Sequence, residues 1–207
     1  MNKLILYHFP KSSCSRKVTF VLHYKGISYQ EAIVNLERGE QKQPDFLRLN
    51  PFGQVPVLDY NGKIIYDSAV INEFLEETFP ERSLLPTDLV ARANVRLSTL
   101  YADQVFYPKI SAILKEFRQR SGRSIIEKLS SNFQETALAF LESQLQEQAD
   151  PFLFGLLTLA DIAYAPGLET LIQVSNLSLT PFPATRRWLD SLGDVPAFRS
   201  SSPLTTV

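Results

Sequence analysis

Pro10-Lys11-Ser12-Ser13-Cys14-Ser15-Arg16-Lys17-Val18 lies between two apolar runs of different period, and the fold of the chain turns on that change. Before it, Leu4, Ile5, Leu6 and Tyr7 make a short unbroken apolar run, the mark of a buried strand. After it, Val18, Val21 and Leu22 recur at helical spacing, and the serines are suited to cap that helix. The polar cluster therefore sits where a strand hands over to a helix. Unpaired amide hydrogens at such a start, together with the helix dipole, favour an anion. Serine capping beside a small buried cysteine is an equally good description of the same residues, so binding and capping both stay open at this point.

Working outward, Gly26 closes the first helix and Ile27 to Val34 reads as a second strand. Leu36 to Leu49 is a polar, partly helical connection. Gln54 to Tyr60 reads as a third strand, and Asn61-Gly62 as a tight turn into a fourth at Lys63 to Tyr66. Asp67 and Ser68 cap a helix that buries Ala69, Val70, Ile71, Phe74 and Leu75. Pro80 to Asp88 then breaks the pattern, and from Leu89 onward only helical periodicity is found. Ala93, Leu97 and Leu100 mark one long helix, bent or strained near Pro108. Ile126, Leu129, Phe133, Ala137 and Phe140 mark a second that ends near Asp150 and Pro151. Thr158 to Leu171 supplies a third, the region from Arg186 to Leu192 a fourth, and Ser200 to Val207 reads as a poorly ordered tail. The class is α/β plus all-α: a mixed domain over residues 1–80, a linker at 81–88 and an all-helical domain over 89–207.

At 207 residues, 44% of them hydrophobic and 21% charged, the composition is that of a soluble globular protein with a sizeable core. A formal net charge of -1 gives no electrostatic reason to expect nucleic acid or an acidic membrane as partner. Cys14 is the single cysteine, which excludes an internal disulfide and a cysteine-rich metal site. Lys17 stands where a second cysteine of a Cys-x-x-Cys pair would be. His8 and His23 have no metal-ligand spacing, so they read as surface or packing residues and no metal is expected. The chain shows neither a secretory signature nor about 18 consecutive apolar residues, and a cytoplasmic location is the expectation.

Several groups carry chemistry if the fold brings them together. Ser12, Ser13 and Ser15 can hold a bound thiol as thiolate, or Cys14 can itself attack. Gln54-Val55-Pro56 puts a proline at a strand entrance, which leaves the Val55 backbone available to a peptide-like ligand or makes a rigid turn. Asp67-Ser68 suits a ligand's ammonium and carboxylate, or is an N-cap pair. Thr158 and Asp161 have capping-box spacing, for which structure is the preferred role. Tyr101, Phe106, Tyr107 and Pro108 give the long helix an aromatic segment that lines an apolar pocket or an interface.

Taken in order, Ser12 to Val18, Asn50-Pro51-Phe52-Gly53-Gln54-Val55-Pro56-Val57-Leu58, Asp67-Ser68 and Thr158-Leu159-Ala160-Asp161-Ile162 resemble a soluble glutathione transferase of the serine type, with a theta-like or zeta-like N-terminal motif. The resemblance implies a thioredoxin-like first domain that binds glutathione and a helical second domain that contributes the electrophile pocket. Ser12 matches the serine that donates to the glutathione thiolate, with Tyr7 and Cys14 as further candidates. Arg16 stands where zeta-class chains usually carry tryptophan. Ser13, Gln41, Lys42, Gln54, Val55, Pro56, Asp67 and Ser68 fall in the glutathione-binding set, with Pro56 cis. Tyr101, Val105, Phe106 and Pro108 fall near the electrophile, and Thr158 and Asp161 cap a helix. The implied activity is detoxifying conjugation of glutathione to small hydrophobic electrophiles, with peroxide reduction as a further outcome. The alternatives are zeta-like isomerisation of a small keto acid and a non-catalytic binding or scaffolding role. Glutathione is the co-substrate, and a homodimer is the implied assembly.

Overall fold

The computed structural model of the protein describes residues 3–147 and 150–203. It divides into two units, Met1–Ser83 with Pro196–Val207, and Leu84–Val195. The first unit holds a mixed sheet of β1 (Leu4–His8), β2 (Gln30–Ile33), β3 (Val57–Tyr60) and β4 (Lys63–Tyr66) in the order β2-β1-β3-β4. β1 is parallel to β2 and antiparallel to β3, and β3 is antiparallel to β4. A parallel pair needs a crossover, which α1 (Ser13–Lys25) supplies, while the antiparallel pair needs only the Asn61-Gly62 turn. Two helices complete this part of the unit, the short α2 (Pro44–Leu49) and α3 (Ser68–Thr78). Strand-helix-strand followed by strand-strand-helix is the thioredoxin-like arrangement expected from the sequence.

The edge strand β2 and the interior strand β3 are both shorter than the segments expected from the sequence. Gly26 takes the left-handed conformation at φ 70°, and the Ile27 amide bonds back to the Leu22 carbonyl at 2.9 Å. Ile27 is thus spent on ending α1, and β2 begins at Gln30. β3 begins at Val57 because Pro56 has no N–H to give to the ladder. At the far end of α1 the buried Lys25 side chain ties three segments together. Its Nζ lies 2.7 Å from Glu76 Oε2 on α3 and donates to the Phe79 and Glu81 carbonyls at 2.8 and 3.2 Å.

The second unit is helical: α4 (Leu89–Tyr101), α5 (Tyr107–Gln119), α6 (Arg123–Phe133), α7 (Ala139–Gln146), α8 (Leu159–Ser175) and α9 (Pro183–Gly193). A π-helical turn at Ala102–Phe106 joins α4 to α5, where the Tyr107 amide reaches the Ala102 carbonyl. The wider turn lets the chain pass Pro108 without breaking the helix. A second π turn, Gln134–Leu138, divides the helix expected through Phe140, and α7 ends at Gln146. Phe106 packs edge-on to Phe133 and Tyr164, with ring centroids 5.1 and 4.9 Å away. α8 approaches α5 closely at Gly167, where a Cβ would come within 3.2 Å of the Tyr107 ring. Among the described residues no helix is long and apolar enough to cross a membrane.

Ala93, Leu97 and Leu100 lie on one helix, α4, as expected, but on its open face: Leu97 is 63% and Leu100 50% exposed, and the buried positions are Val95 and, two turns on, Ala102. Two expectations need correction. On α3, Val70 is likewise exposed. The tail is ordered at its start, since Pro196–Ser201 forms α10 and packs on α1, so the helical domain does not run unbroken to residue 207. Leu204–Val207 of that expected tail lie outside the described residues.

Candidate active site

A cavity of about 250 Å³ in the first unit is lined by Cys14 in the first turn of α1, by the loop after α2, by Tyr66 at the end of β4 and by Asp67 and Ser68 at the start of α3. Two helix N-termini therefore contribute to one concave surface. The first turn of α1 has no acidic residue, so the positive end of its dipole is not offset there, whereas at α3 the N-cap carboxylate of Asp67 offsets it.

Ser12 is the N-cap of α1, with φ -81° and ψ 119°. Its Oγ accepts from the Ser15 amide at 3.3 Å, and its own amide donates to the Phe9 carbonyl at 2.9 Å. Capping uses the oxygen as acceptor and leaves the hydroxyl hydrogen to donate. Ser13 is buried, and the half-buried Cys14 thiol belongs to the cavity wall. The lining includes neither Ser12 nor Tyr7. Tyr7 packs on the cluster of Val34, Phe46, Val55 and Val57, which gives it a core role in this structure.

The loop that faces α1 is held by Asn50. Its Oδ1 accepts from the Phe52 amide at 3.0 Å, and its Nδ2 donates to the Gln54 carbonyl at 2.7 Å. Gly53 has φ +60°, and a Cβ there would lie 2.8 Å from the Gln41 carbonyl oxygen, so both conformation and space require glycine. Lys42 Nζ donates to the Phe52 carbonyl at 3.2 Å, while Gln41 Oε1 is buried with no hydrogen-bond partner. Gln54 is exposed on the cavity wall. The Val55–Pro56 peptide is cis, and Val55 precedes the β3 ladder, whose register starts at Val57 opposite Tyr7. Its backbone groups therefore lie outside strand pairing, beside the cavity.

Asp67 caps α3 from φ +75°, a conformation that costs a non-glycine residue of order 1–3 kcal/mol. Its Oδ1 accepts from the Ala69 and Val70 amides at 2.9 and 3.2 Å. Ser68, next in the chain, is buried against the cavity.

The positions assigned to an electrophile diverge within the second unit. Phe106 is enclosed in the core, its ring packed edge-on to Phe133 and Tyr164. Tyr101 stacks on Phe140 with centroids 4.3 Å apart, and burial pushes its hydroxyl pKa up. Val105 is half-buried and Pro108 exposed. Thr158 and Asp161 form a reciprocal capping box at the start of α8. Asp161 also accepts from the Leu153 amide at 3.0 Å and from Trp188 Nε1 at 2.9 Å. Burial pushes the Asp161 carboxyl up, against the pull of these donors.

A family model described as the glutathione S-transferase N-terminal domain matches residues 11–78, from just before α1 to the end of α3. A glutathione S-transferase of the zeta class from Euphorbia esula is 32% identical, over 97% of this chain and 90% of that protein. The chain belongs to the glutathione S-transferase family. A maleylacetoacetate isomerase from Rattus norvegicus is 35% identical over 97% of this chain and 93% of its own length. The solved holo structure of a maleyl pyruvate isomerase, a bacterial glutathione S-transferase in the zeta class, superposes with a TM-score of 0.85 at 29% identity and covers 96% of both chains. This glutathione S-transferase therefore has zeta-like features. Asn50, Phe52 and Tyr66 are the residues of its cavity that sequence reasoning left without a role. Asn50-Pro51 followed by Gly53 was the available signal, since an asparagine ahead of a forced turn commonly bonds its own loop.

Proposed function

We propose that this glutathione S-transferase binds glutathione in the cavity of the first unit, holds its sulfur as thiolate and uses it to isomerise a small unsaturated keto acid. The observation that carries this reading is the convergence of the α1 start, the Val55 backbone and Asp67-Ser68 on one cavity. In this reading the Val55 backbone groups pair with the cysteinyl part of glutathione. Asp67 meets its γ-glutamyl ammonium and Ser68 the adjoining carboxylate, with Gln41, Lys42 and Gln54 toward the glycyl end. The Ser12 hydroxyl donates to the sulfur, and the amides of the first turn add to the field that favours the anion.

In the isomerisation the thiolate adds to one carbon of a cis double bond conjugated to a carbonyl, and the electron pair moves onto the enolate oxygen. Rotation about the new single bond follows. The enolate then re-forms the double bond in the trans geometry and expels the thiolate, so glutathione is regenerated and no atom is gained or lost. Isomerisation is placed ahead of conjugation because relatives of similar coverage are maleylacetoacetate and maleyl pyruvate isomerases, and because Phe106 is withdrawn into the core. Conjugation to an apolar electrophile is the second reading, supported by the zeta-class transferase relative.

Self-association is part of the proposal. Leu89, Val90, Leu97 and Leu100 leave an exposed apolar face on α4, and Phe52 and Val70 are exposed in the first unit. A second copy of this chain in the cytoplasm is the partner proposed for these side chains.

The test is glutathione-dependent turnover of maleylacetone, an aromatic halide, an isothiocyanate and an organic peroxide, with glutathione binding measured in parallel. Turnover of maleylacetone above the other three supports the isomerase reading. Turnover of the halide or isothiocyanate alone replaces it with conjugation, and binding without turnover of any of the four leaves a binding role.

A further inference from the structure

We propose that Arg16 is a positioning residue for the thiol-activating helix and that it acts through α10; this rests on the role assigned to α1 above. Arg16 is 1% exposed and sits one turn inside α1 from Ser12, whose carbonyl accepts from its amide at 2.9 Å. Its Nε donates to the Ser201 carbonyl at 3.0 Å, a bond between residues 185 positions apart in sequence. The guanidinium carbon lies 5.8 Å from the Phe198 ring centroid. One turn further along α1, Phe20 meets the other end of this contact, its ring centroid 5.6 Å from that of Phe198.

A buried guanidinium in the first turn of a helix works against two effects. Its desolvation is unfavourable, and the positive end of the helix dipole repels it. An apolar side chain of similar volume would fill the slot without either penalty. Such a side chain could not, however, donate a directed hydrogen bond to Ser201. The planar guanidinium fixes distance and rotation together, which an ammonium on a flexible stem does not.

Packing alone does not close this seam. A cavity of about 260 Å³ borders it, with Arg16, Thr19 and His23 on the α1 side and Ser200, Ser201 and Ser202 on the α10 side. The directed bond therefore contributes to the register between the two helices. Because it attaches to the first turn, it sets where Ser12, Cys14 and the first-turn amides stand relative to the loop that carries Val55. Small displacements of a thiol-activating group have large effects on rate.

Four full-length chains test this: wild type, Arg16→Met, Arg16→Lys and Phe198→Leu. For each, the thermal midpoint, the glutathione Kd and the pH profile of kcat/KM with maleylacetone are measured. Arg16→Met is expected to lower kcat/KM about tenfold and to move the acidic limb of the profile up by about one pH unit. Arg16→Lys is expected not to restore the limb, and Phe198→Leu, which loosens α10 without altering α1, is expected to move it in the same direction by less. A lower thermal midpoint with the limb unmoved would overturn the positioning role. If Arg16→Met does not fold, the limb of Phe198→Leu decides alone, movement supporting the role and no movement overturning it. Wild type that neither binds glutathione nor turns over overturns the reading of α1 and this inference with it. An active wild type with unmoved variant limbs overturns the inference only.

Discussion

The starts of α3 and α8 use the same capping chemistry in opposite surroundings. At α8, Asp161 is 0% exposed, and both of its oxygens are taken by the Leu153, Thr158 and Trp188 donors. At α3, Asp67 is exposed, held at a positive φ, and caps through Oδ1. A saturated buried carboxylate has no acceptor capacity left and serves the fold. A strained carboxylate on a cavity wall, with an oxygen beyond its capping bonds, can serve a ligand. Capping motifs are alike in sequence, and burial and saturation divide them into structural and binding groups.

The largest effect should come from breaking the saturated end. Asp161→Ala strands four donors in the interior and is expected to cost about 3–5 kcal/mol, read from equilibrium unfolding in urea. Next is the helix start on the other side of the cavity. Ser12→Ala is expected to lower kcat about 100-fold with maleylacetone, while Cys14→Ala loses less than about tenfold. The reverse order would transfer the chemistry from the hydroxyl to the thiol.

Asp67→Gly sharpens the contrast, because glycine accepts the positive φ and is a tolerated N-cap. Stability should stay within about 0.5 kcal/mol of wild type while glutathione binding weakens about tenfold, measured by calorimetry. A parallel loss of stability and binding would make Asp67 a second structural cap.

The smallest effect expected is on pH dependence, from the histidines bordering the other cavity. Burial pushes the His8 imidazole pKa down, outweighing the attraction of Glu31 Oε1 at 3.3 Å, and burial lowers that of His23 too. Arg16 from α1 and Tyr29 from β2's approach face the same cavity, the Tyr29 hydroxyl pushed up to about 12 by burial and by Glu31. A histidine whose folded pKa lies below its unfolded value binds its proton more readily when unfolded. Stability is therefore full above the unfolded value of about 6.5 and declines as pH falls from there toward the folded value. Thermal melts from neutral to mildly acidic pH should show this decline, and His8→Leu should flatten it.

The sheet was legible because its segments are punctuated by Gly26, Pro56 and Asn61-Gly62, each with a local physical meaning. Strand ends were less so, since Ile27 opens the segment expected as the second strand and yet is consumed by the end of α1. On α4, periodicity identified an apolar face at Ala93, Leu97 and Leu100 without indicating what covers it, and that face points away from the helical core. Within the site, Cys14, Val55 and Asp67-Ser68 could be named from turn and cap chemistry. Asn50 and Arg16 could not be given roles, because the Asn50 side chain acts on its own loop and the Arg16 partner lies at Ser201. Contacts across that sequence distance leave no local pattern to read.

The most direct test of the account is an ultraviolet titration of the glutathione thiol bound to wild type and to Ser12→Ala. Wild type should hold the bound thiol as thiolate well below the ordinary thiol value of about 8.5, and Ser12→Ala should return it toward that value. A bound thiol that titrates at its ordinary value in wild type, or one unchanged by Ser12→Ala, would contradict the account of α1 as the helix that prepares the sulfur.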